Sequence, residues 1–216
     1  MRTALTIAGS DSSGGAGIQA DLKTFQAHGV FGMTAITAVT VQNTREVYDI
    51  QEIAPAIVKG QILCLFDDID IHAVKIGMVS DVALIDAIAE ALAQVERPPV
   101  VLDPVMISKS GYALLKEAAQ QALIDRLFPL AEVVTPNIFE ADRLVGHPSA
   151  SIAEMRPAAR EILVLGARKV VVKGGHACGA QATDVLYDGQ NYRELTSTRY
   201  ATTNTHGTGC TFSSAI

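Results

Sequence analysis

The stretch ALTIAGSDSSGGAGIQAD, residues 4 to 21, joins a β-rich apolar run to a glycine-rich turn and the start of a helix. Similar β-rich runs recur along the chain, with helical patterns between them. The later runs are Thr34–Val41, Ala73–Ile76, Val100–Leu102, Val133–Thr135 and Lys169–Val172. Strands that alternate with helices in this way are typical of repeated βαβ units. The sequence therefore predicts an α/β fold built on a parallel sheet.

One helix and one hairpin can be placed more closely. Apolar residues repeat at helical spacing between positions 80 and 94, and we expect Ser80 to cap the first turn of this helix. Near the end, Ala182–Asp188 and Asn191–Ser197 flank an Asp-Gly pair that favours the positive φ angles of a tight hairpin. We expect this antiparallel pair at one edge of the sheet.

Composition and charge narrow the class of protein. The 216 residues are 49% hydrophobic, enough for one domain with a large core. The net charge of -6 and the lack of a Lys/Arg cluster argue against nucleic-acid binding. The first apolar run is too short for a signal peptide or a membrane span, so we expect a cytoplasmic protein without membrane contact. Cys64, Cys178 and Cys210 show no CxxC pairing, which predicts reduced thiols.

The N-terminal glycines allow more than one interpretation. Gly15-x-Gly17-x-x-Ala20 matches the dinucleotide fingerprint of nicotinamide and flavin enzymes. In that fingerprint the first glycine directly follows the strand, whereas a polar stretch intervenes here. A βα turn that binds no ligand is the other possibility. A dinucleotide oxidoreductase therefore remains one competing hypothesis.

The stretch ATTNTHGTGC, residues 201 to 210, is the more specific signal. Two glycines flank a threonine where an apolar helix begins, so successive N–H groups can form an anion nest at the positive end of the helix. Such a nest would stabilise the charge on a transferred phosphoryl group. The chain contains no Gly-x-x-x-x-Gly-Lys-Ser/Thr loop, which excludes a P-loop nucleotide site.

A series of ordered motifs carries a resemblance to a known family. The motifs are Leu5–Asp11, Ser13–Phe25, Gln42–Thr44, Lys75–Met78, Leu102–Met106, Thr135–Asn137 with Glu140, Lys173–His176 and Asn204–Thr211. With them the chain resembles the bacterial hydroxymethylpyrimidine/phosphomethylpyrimidine kinases, a branch of the ribokinase-like superfamily, over nearly its whole length. The resemblance implies a three-layer α/β/α sandwich with a mostly parallel central sheet and an antiparallel edge hairpin. Residues 1–216 would form one kinase domain, expected to lack a C-terminal segment that helps enclose adenine in relatives.

The resemblance also implies an activity. Members use ATP and Mg²⁺ to phosphorylate 4-amino-5-hydroxymethyl-2-methylpyrimidine and then its monophosphate, in thiamin biosynthesis, and homodimers are expected. A pyridoxal kinase is the nearest alternative, because pyridoxal also carries a hydroxymethyl group on a flat nitrogen heterocycle. A pyrimidine-binding protein without catalysis is another.

Four residues correspond to the family's pyrimidine-binding positions: Gly9, Asp21, Gln42 and Met78. The Gln42 amide offers a donor and an acceptor to the adjacent amino group and ring nitrogen of an aminopyrimidine. Met78 would supply an apolar wall. Asp21 would hold a ring nitrogen or the hydroxymethyl group, unless it is only a solvated carboxylate on a helix. We expect Gln42, Asp21 and Met78 around one pocket.

The expected catalytic residues are Cys210, Gly207, Thr208, Gly209 and Lys173. Cys210 occupies the position where many sugar-kinase relatives place an aspartate base. A helix N-terminus can lower the pKa of a cysteine, so a thiolate would accept or orient the hydroxyl proton. An inert buried thiol is the alternative. Lys173, at the end of an apolar run, would neutralise phosphate.

Nucleotide and metal positions complete the expected site. The nucleotide would contact Asn137, Lys173, Thr205, Gly207 and Gly209. Asp103 and Glu140 would lie near magnesium, with water between, because Mg²⁺ dehydrates reluctantly. Asp103 follows a predicted strand at the edge where open α/β sheets bind ligands. Glu140 would otherwise only favour a helix N-terminus.

Overall fold

A computed structural model describes residues 1–106, 114–175 and 181–216 of the chain. Its strands in these ranges form one sheet: β1 (Thr3–Asp11), β2 (Phe31–Gln42), β3 (Val47–Glu52), β4 (Ala73–Ile76), β5 (Val100–Leu102), β6 (Val133–Val134), β7 (Lys169–Val172), β8 (Gln181–Tyr187) and β9 (Tyr192–Thr198). Every predicted strand is therefore present. Cys178 lies outside the described residues.

Helices lie in the connections between successive parallel strands, and one more follows β9. They are α1 (Gly17–Ala27), α2 (Pro55–Asp68), α3 (Val82–Ala93), α4 (Glu117–Ala122), α5 (Ile138–Val145), α6 (Ile152–Val164) and α7 (Thr208–Ser214), with a π-helical turn at Leu123–Leu127 and a 3-10 turn at Phe128–Leu130. None of the described helices combines the length and the apolar character needed to cross a membrane.

The sheet is mostly parallel, with antiparallel strands at both edges. Its strand order is β3-β2-β1-β4-β5-β6-β7-β8-β9. The six central strands pair in parallel, whereas β3 at one edge and β8 and β9 at the other are antiparallel. The predicted hairpin is confirmed as β8–β9, and Gly189 in its turn has a φ of 93°. The second antiparallel edge, β3, was not predicted.

The core lies between the sheet and its flanking helices. Ile7 of β1 and Ile76 of β4 are fully buried, and so are Ile85 and Ile88 on the apolar face of α3. In the sequence, parallel strands are continuous apolar runs, because helices cover both of their faces. The predicted α/β/α sandwich is confirmed.

The start of α3 corrects one detail of the sequence analysis. Asp81, and not Ser80, is its N-cap residue, because the Asp81 carboxylate accepts the N–H of Leu84 at 3.0 Å. The Ser80 hydroxyl instead donates to a carboxylate oxygen of Glu52 at 2.7 Å. A carboxylate at this position also interacts favourably with the positive end of the helix dipole.

Candidate active site

A cavity of about 740 Å³ lies at the carboxyl ends of the central parallel strands β5, β6 and β7. Most of the residues predicted for the site line it: Gln42, Asp103, Asn137, Glu140, Lys173, Thr205, Gly207, Thr208, Gly209 and Cys210. The predicted residues Gly9, Asp21 and Met78 are not among its lining residues. The cavity occupies the place where open α/β sheets bind their ligands.

The parallel strands bring distant parts of the sequence together at this edge. Beyond β5, the Asp103 N–H donates to the carbonyl of Ile76 at 2.9 Å, and beyond β7, the Lys173 N–H donates to the carbonyl of Pro136 at 2.8 Å. These backbone bonds continue the ladder past the strand ends. They fix the first residue after each strand and so direct both side chains to one place.

Asp103 and Lys173 form an ion pair in the floor of the cavity. Lys173 Nζ lies 2.7 Å from Asp103 Oδ1, and the Thr135 hydroxyl donates to the same oxygen at 3.1 Å. Burial alone would raise the pKa of Asp103, but the charges of Lys173 and Lys75 hold it below its ordinary value. Burial alone would lower the pKa of Lys173, but Asp103 and Glu140 raise it. Both groups are therefore charged at neutral pH.

Glu140 has two roles in the structure. Its carboxylate accepts the N–H of Asn137 at 2.8 Å, while the Asn137 side chain accepts the N–H of Glu140 at 3.0 Å, which makes a capping box for α5. It is also buried beside the charged pair, with 6% of the residue exposed. Burial raises the pKa of Glu140 to about 7, although Lys173 acts in the opposite direction. The residue thus caps a helix and also lines the cavity.

The donor set in the cavity fits magnesium that arrives with a nucleotide. Among the residues that the structure describes, no group of three or more His, Cys, Asp or Glu side chains is arranged to hold a metal ion. Asp103 and Glu140 are two buried carboxylates beside one lysine. Mg²⁺ commonly takes one or two protein carboxylates and completes its shell with substrate phosphates and water.

The pKa of Cys210 differs from the expected direction. Cys210 lies in the first turn of α7, where the helix dipole was expected to lower its pKa. Burial instead raises the pKa of the thiol above its ordinary value of 9.0, and Lys75 offsets this only in part. The nearby carboxylates of Asp103 and Asp21 raise the pKa of the thiol further, because they repel a thiolate. Cys210 therefore carries a thiol, and not a thiolate, at neutral pH.

The two glycine-rich segments contact each other beside the cavity. A Cβ atom on Gly207 would lie 1.7 Å from the carbonyl oxygen of Gly15, and one on Gly15 would lie 2.5 Å from Cδ2 of His206. Neither position has room for a side chain. The N-terminal turn therefore forms part of the support for the 205–210 segment.

Asp11 occupies the helix end that a dinucleotide would need. Its carboxylate accepts the backbone N–H groups of Ser13 at 2.8 Å and Ala16 at 2.8 Å, and it pairs with His206 Nε2 at 2.7 Å. The amides of the turn that leads into α1 thus already have an anionic partner, which disfavours the dinucleotide interpretation. The structural role of His206, which also lines the cavity, was not predicted, although it lies inside the 201–210 motif.

Gly9 and Met78 lie behind one wall of the cavity. Met78, 9% exposed, packs in an apolar cluster with Val47 and Leu114, both of which line the cavity. A Cβ atom on Gly9 would lie 3.1 Å from the Met78 sulfur. Of the three residues expected around one pocket, Gln42 lines the cavity, while Met78 supports its wall and Asp21 lies outside it. Asp21 is fully buried, so its interpretation as a solvated carboxylate is wrong.

Comparisons with known proteins agree with this geometry. A family model described as phosphomethylpyrimidine kinase matches residues 11–216. A hydroxymethylpyrimidine/phosphomethylpyrimidine kinase of Rhizobium meliloti is 52% identical over 99% of this chain, which covers 80% of that protein. A bifunctional thiamine biosynthesis protein of Geobacter sulfurreducens is 50% identical over 98% of this chain, which spans 43% of that longer protein.

Solved structures of related kinases superpose on this chain over its whole length. A phosphomethylpyrimidine kinase from Clostridium difficile 630 superposes with a TM-score of 0.87 at 47% identity, over 100% of this chain and 88% of that one. An ADP complex of Bacillus subtilis pyridoxal kinase superposes with a TM-score of 0.91 at 44% identity, over 100% of this chain and 82% of that one. As its motifs predicted, the chain belongs to the phosphomethylpyrimidine kinase family and has the ribokinase-like fold of these relatives.

Proposed function

We propose that this chain transfers the γ-phosphoryl group of ATP to the hydroxymethyl group of 4-amino-5-hydroxymethyl-2-methylpyrimidine, and then to the monophosphate so formed, in thiamin biosynthesis. One observation carries the proposal: Gln42, suited to an aminopyrimidine, lines the same cavity as Lys173, Asp103 and the Gly207–Cys210 segment, which are suited to phosphates. Membership of the family supports it.

The phosphate end of the cavity would act by charge and position. The Lys173 ammonium, which stays charged, would neutralise the transferring group, and the amides of Gly207–Cys210 would donate to its oxygens. Asn137 and Thr205, which also line the cavity, would contact the nucleotide. Phosphoryl transfer passes through a loose transition state, so correct placement and electrostatic stabilisation supply most of the catalysis.

Asp103 and Glu140 would hold magnesium, in part through water. The ion, when bound with ATP, neutralises charge on the phosphate oxygens. Asp103 is ionised at neutral pH, whereas the pKa of Glu140 is about 7. Glu140 would therefore give up its proton readily when a cation binds.

The acceptor end would hold the pyrimidine by its edge. The Gln42 amide oxygen accepts the Thr40 hydroxyl at 3.1 Å, a contact that restrains the rotation of the amide. The amide would pair with the amino group and ring nitrogen of the substrate. Met78 and Gly9 would support this end from behind the wall. The Cys210 thiol would orient the hydroxymethyl group by a hydrogen bond.

We further propose, from the family resemblance, that the protein is a homodimer located in the cytoplasm.

A substrate panel tests the proposal. ADP formation is measured with purified protein, MgATP and, in turn, the hydroxymethylpyrimidine, its monophosphate and pyridoxal. We expect the highest kcat/KM with the two pyrimidines.

Gln42→Leu should weaken pyrimidine binding by about 1–3 kcal/mol, because the polar edge of the substrate loses its partner. Gln51→Leu is the control, since Gln51 lies exposed on the edge strand β3. Equal binding by both variants would contradict the role of Gln42.

Pyridoxal phosphorylation is the second candidate function. It is favoured by the close superposition with the pyridoxal kinase of Bacillus subtilis. A higher kcat/KM with pyridoxal than with the pyrimidines would establish it in place of the first. Pyrimidine binding without ADP formation would instead identify a binding protein.

A further inference from the structure

The Asp21 carboxylate has no acceptor position left for a substrate. Lys75 Nζ lies 2.9 Å from each of its oxygens, the Thr6 hydroxyl donates to Oδ2 at 2.6 Å, and the Ser214 hydroxyl donates to Oδ1 at 2.7 Å. An ionised carboxylate offers about four acceptor sites, and these contacts fill them. Asp21 is also fully buried and is not a lining residue of the cavity.

Lys75 supplies a buried positive charge next to the Asp21 carboxylate. It is 3% exposed, and a Cβ atom on Gly77 would lie 2.8 Å from its Nζ, so the glycine leaves room for the ammonium. Burial alone would lower the pKa of Lys75, but the nearby carboxylates of Asp21 and Asp103 raise it. Lys75 therefore stays charged, and its ammonium lies 2.9 Å from the Asp21 carboxylate.

This ion pair reaches the catalytic segment through helix α7. Ser214 follows Cys210 by four positions, and residues four apart lie on the same face of a helix. The hydrogen bond from Ser214 to Asp21 therefore fixes the orientation of the face that carries Cys210. One residue earlier, the Ser213 hydroxyl lies 3.4 Å from Asp103 Oδ2. Consecutive serines thus connect α7 to both buried ion pairs of the site.

We propose that the Asp21–Lys75 ion pair positions α7 through Ser214, and so holds Cys210 and the Gly207–Gly209 amides at the cavity without touching the substrate. A buried ion pair adds little net stability compared with apolar residues of the same size, which fits a positioning role better than a purely stabilising one. The inference rests on the proposed function for its kinetic consequences. It replaces the expectation that Asp21 binds the pyrimidine.

Ser214→Ala tests the proposal, because it removes the connection and leaves both charges paired. Ser149→Ala is the matched control: Ser149 is buried and donates to Asp142 Oδ1 at 2.6 Å, but this bond joins α5 to the connection that precedes α6. We expect Ser214→Ala to lower kcat by about tenfold while the KM for the pyrimidine changes by less than about twofold. Ser214→Thr, which keeps the hydroxyl, should restore most of the loss.

A second measurement needs no substrate. Alkylation of Cys210 by iodoacetamide, followed by peptide mass mapping, should change its rate in Ser214→Ala and not in Ser149→Ala. If the alkylation rate changes but no substrate is phosphorylated even by the natural sequence, the positioning role stands and the proposed function fails. A raised KM at unchanged kcat would mean that the Asp21 region binds substrate, and would overturn the proposal. Identical behaviour of Ser214→Ala and Ser149→Ala in both measurements would overturn it as well.

Discussion

Lys173 Nζ lies 2.7 Å from Asp103 Oδ1, although 70 positions separate the two residues in the sequence. Their strands, β7 and β5, lie on either side of β6 in the sheet. Each residue directly follows its strand, so the pair forms where three parallel strands end together. Four positions earlier, at the start of β7, Lys169 pairs with Glu132 at 2.8 Å near the protein surface. A surface lysine and a largely buried lysine thus lie at the two ends of one strand.

Lys173→Met should lower kcat by about 10²–10³, the loss seen when one donor to a transition-state anion is removed. It should also lower the free energy of unfolding by roughly 3–5 kcal/mol, because Asp103 is left buried and unpaired. Lys169→Met is the control, and its exposed ion pair should contribute no more than about 1 kcal/mol. Steady-state kinetics and denaturant titration measure both effects. A Lys173→Met enzyme with normal kcat would exclude Lys173 from the chemistry.

The pKa of Glu140 predicts how stability depends on pH. Burial raises this pKa from the ordinary value of 4.5 to about 7, so the folded protein holds the proton more tightly than the unfolded chain. The contribution of Glu140 to the free energy of unfolding should therefore be present at low pH and decrease as pH rises from about 4.5 to about 7. The decrease should be on the order of 3 kcal/mol, and Glu140→Gln should abolish it. Denaturant titrations of metal-free protein across this range provide the measurement.

Glu154 provides a control with the opposite sign. It occupies the same capping-box position in α6, where hydrogen bonds from Ser151 lower its pKa. Its contribution should therefore be present above pH 4.5 and be lost as the pH falls below that value. If Glu140→Gln and Glu154→Gln altered the pH profile in the same direction, the assignment of a raised pKa to Glu140 would be wrong.

Cys210→Ala should lower kcat by about 10² if the thiol handles or orients the substrate hydroxyl. Its effect on stability should be much smaller than its effect on kcat. Cys64→Ala is the control, since Cys64 is an exposed thiol on α2. Because the pKa of Cys210 is above 9.0, its alkylation rate should still be rising at pH 9. Near-normal turnover of Cys210→Ala in both phosphorylations would leave only a packing role for the side chain.

The central strands could be predicted because burial on both faces requires continuous apolar runs, such as the three valines at 170–172. Strand β3 could not, because only Val47 among its six residues is buried and the pairing with β2 shifts register between Val41 and Gln42. Such a shift destroys the simple alternation by which an edge strand is recognised. Because β3 is mostly exposed and pairs irregularly, the sequence does not show the pattern of a strand at this edge of the sheet.

Much of the site could be predicted because its residues lie in short motifs that begin where strands end. Asp103 and Lys173 are examples, each next to an apolar run. The partner of Asp21 could not be predicted, because Lys75 is 54 positions away and meets it only through the packing of α1 against the sheet. The prediction of a lowered pKa for Cys210 was wrong for a related reason. The helix dipole is a local effect, whereas burial, which raises this pKa, depends on the whole fold.

The contact between the two glycine-rich segments gives the last prediction. Gly207 has a φ of 76°, and an added Cβ atom would lie 1.7 Å from the Gly15 carbonyl oxygen. Gly189 has a φ of 93°, but the nearest atom to its Cβ position, Leu163 Cδ2, is 3.9 Å away. Alanine at either position pays a backbone cost of about 1–2 kcal/mol, whereas only Gly207→Ala must also separate two main-chain segments. The two variants therefore isolate the effect of the close approach.

Gly189→Ala should melt at a lower temperature but keep its kcat, because its turn follows Tyr187, which pairs with Val170 near the amino end of β7, whereas the cavity lies at the carboxyl end. Gly207→Ala should lose more stability and lower kcat by about 10², since displacement of the 205–210 segment by even 1 Å would misplace the amides proposed to bind phosphate. Thermal melting and steady-state kinetics on both variants give the comparison. If the two variants kept equal kcat values, the amides of Gly207–Cys210 would not need the N-terminal turn for their position, and their part in phosphoryl transfer would have to be abandoned.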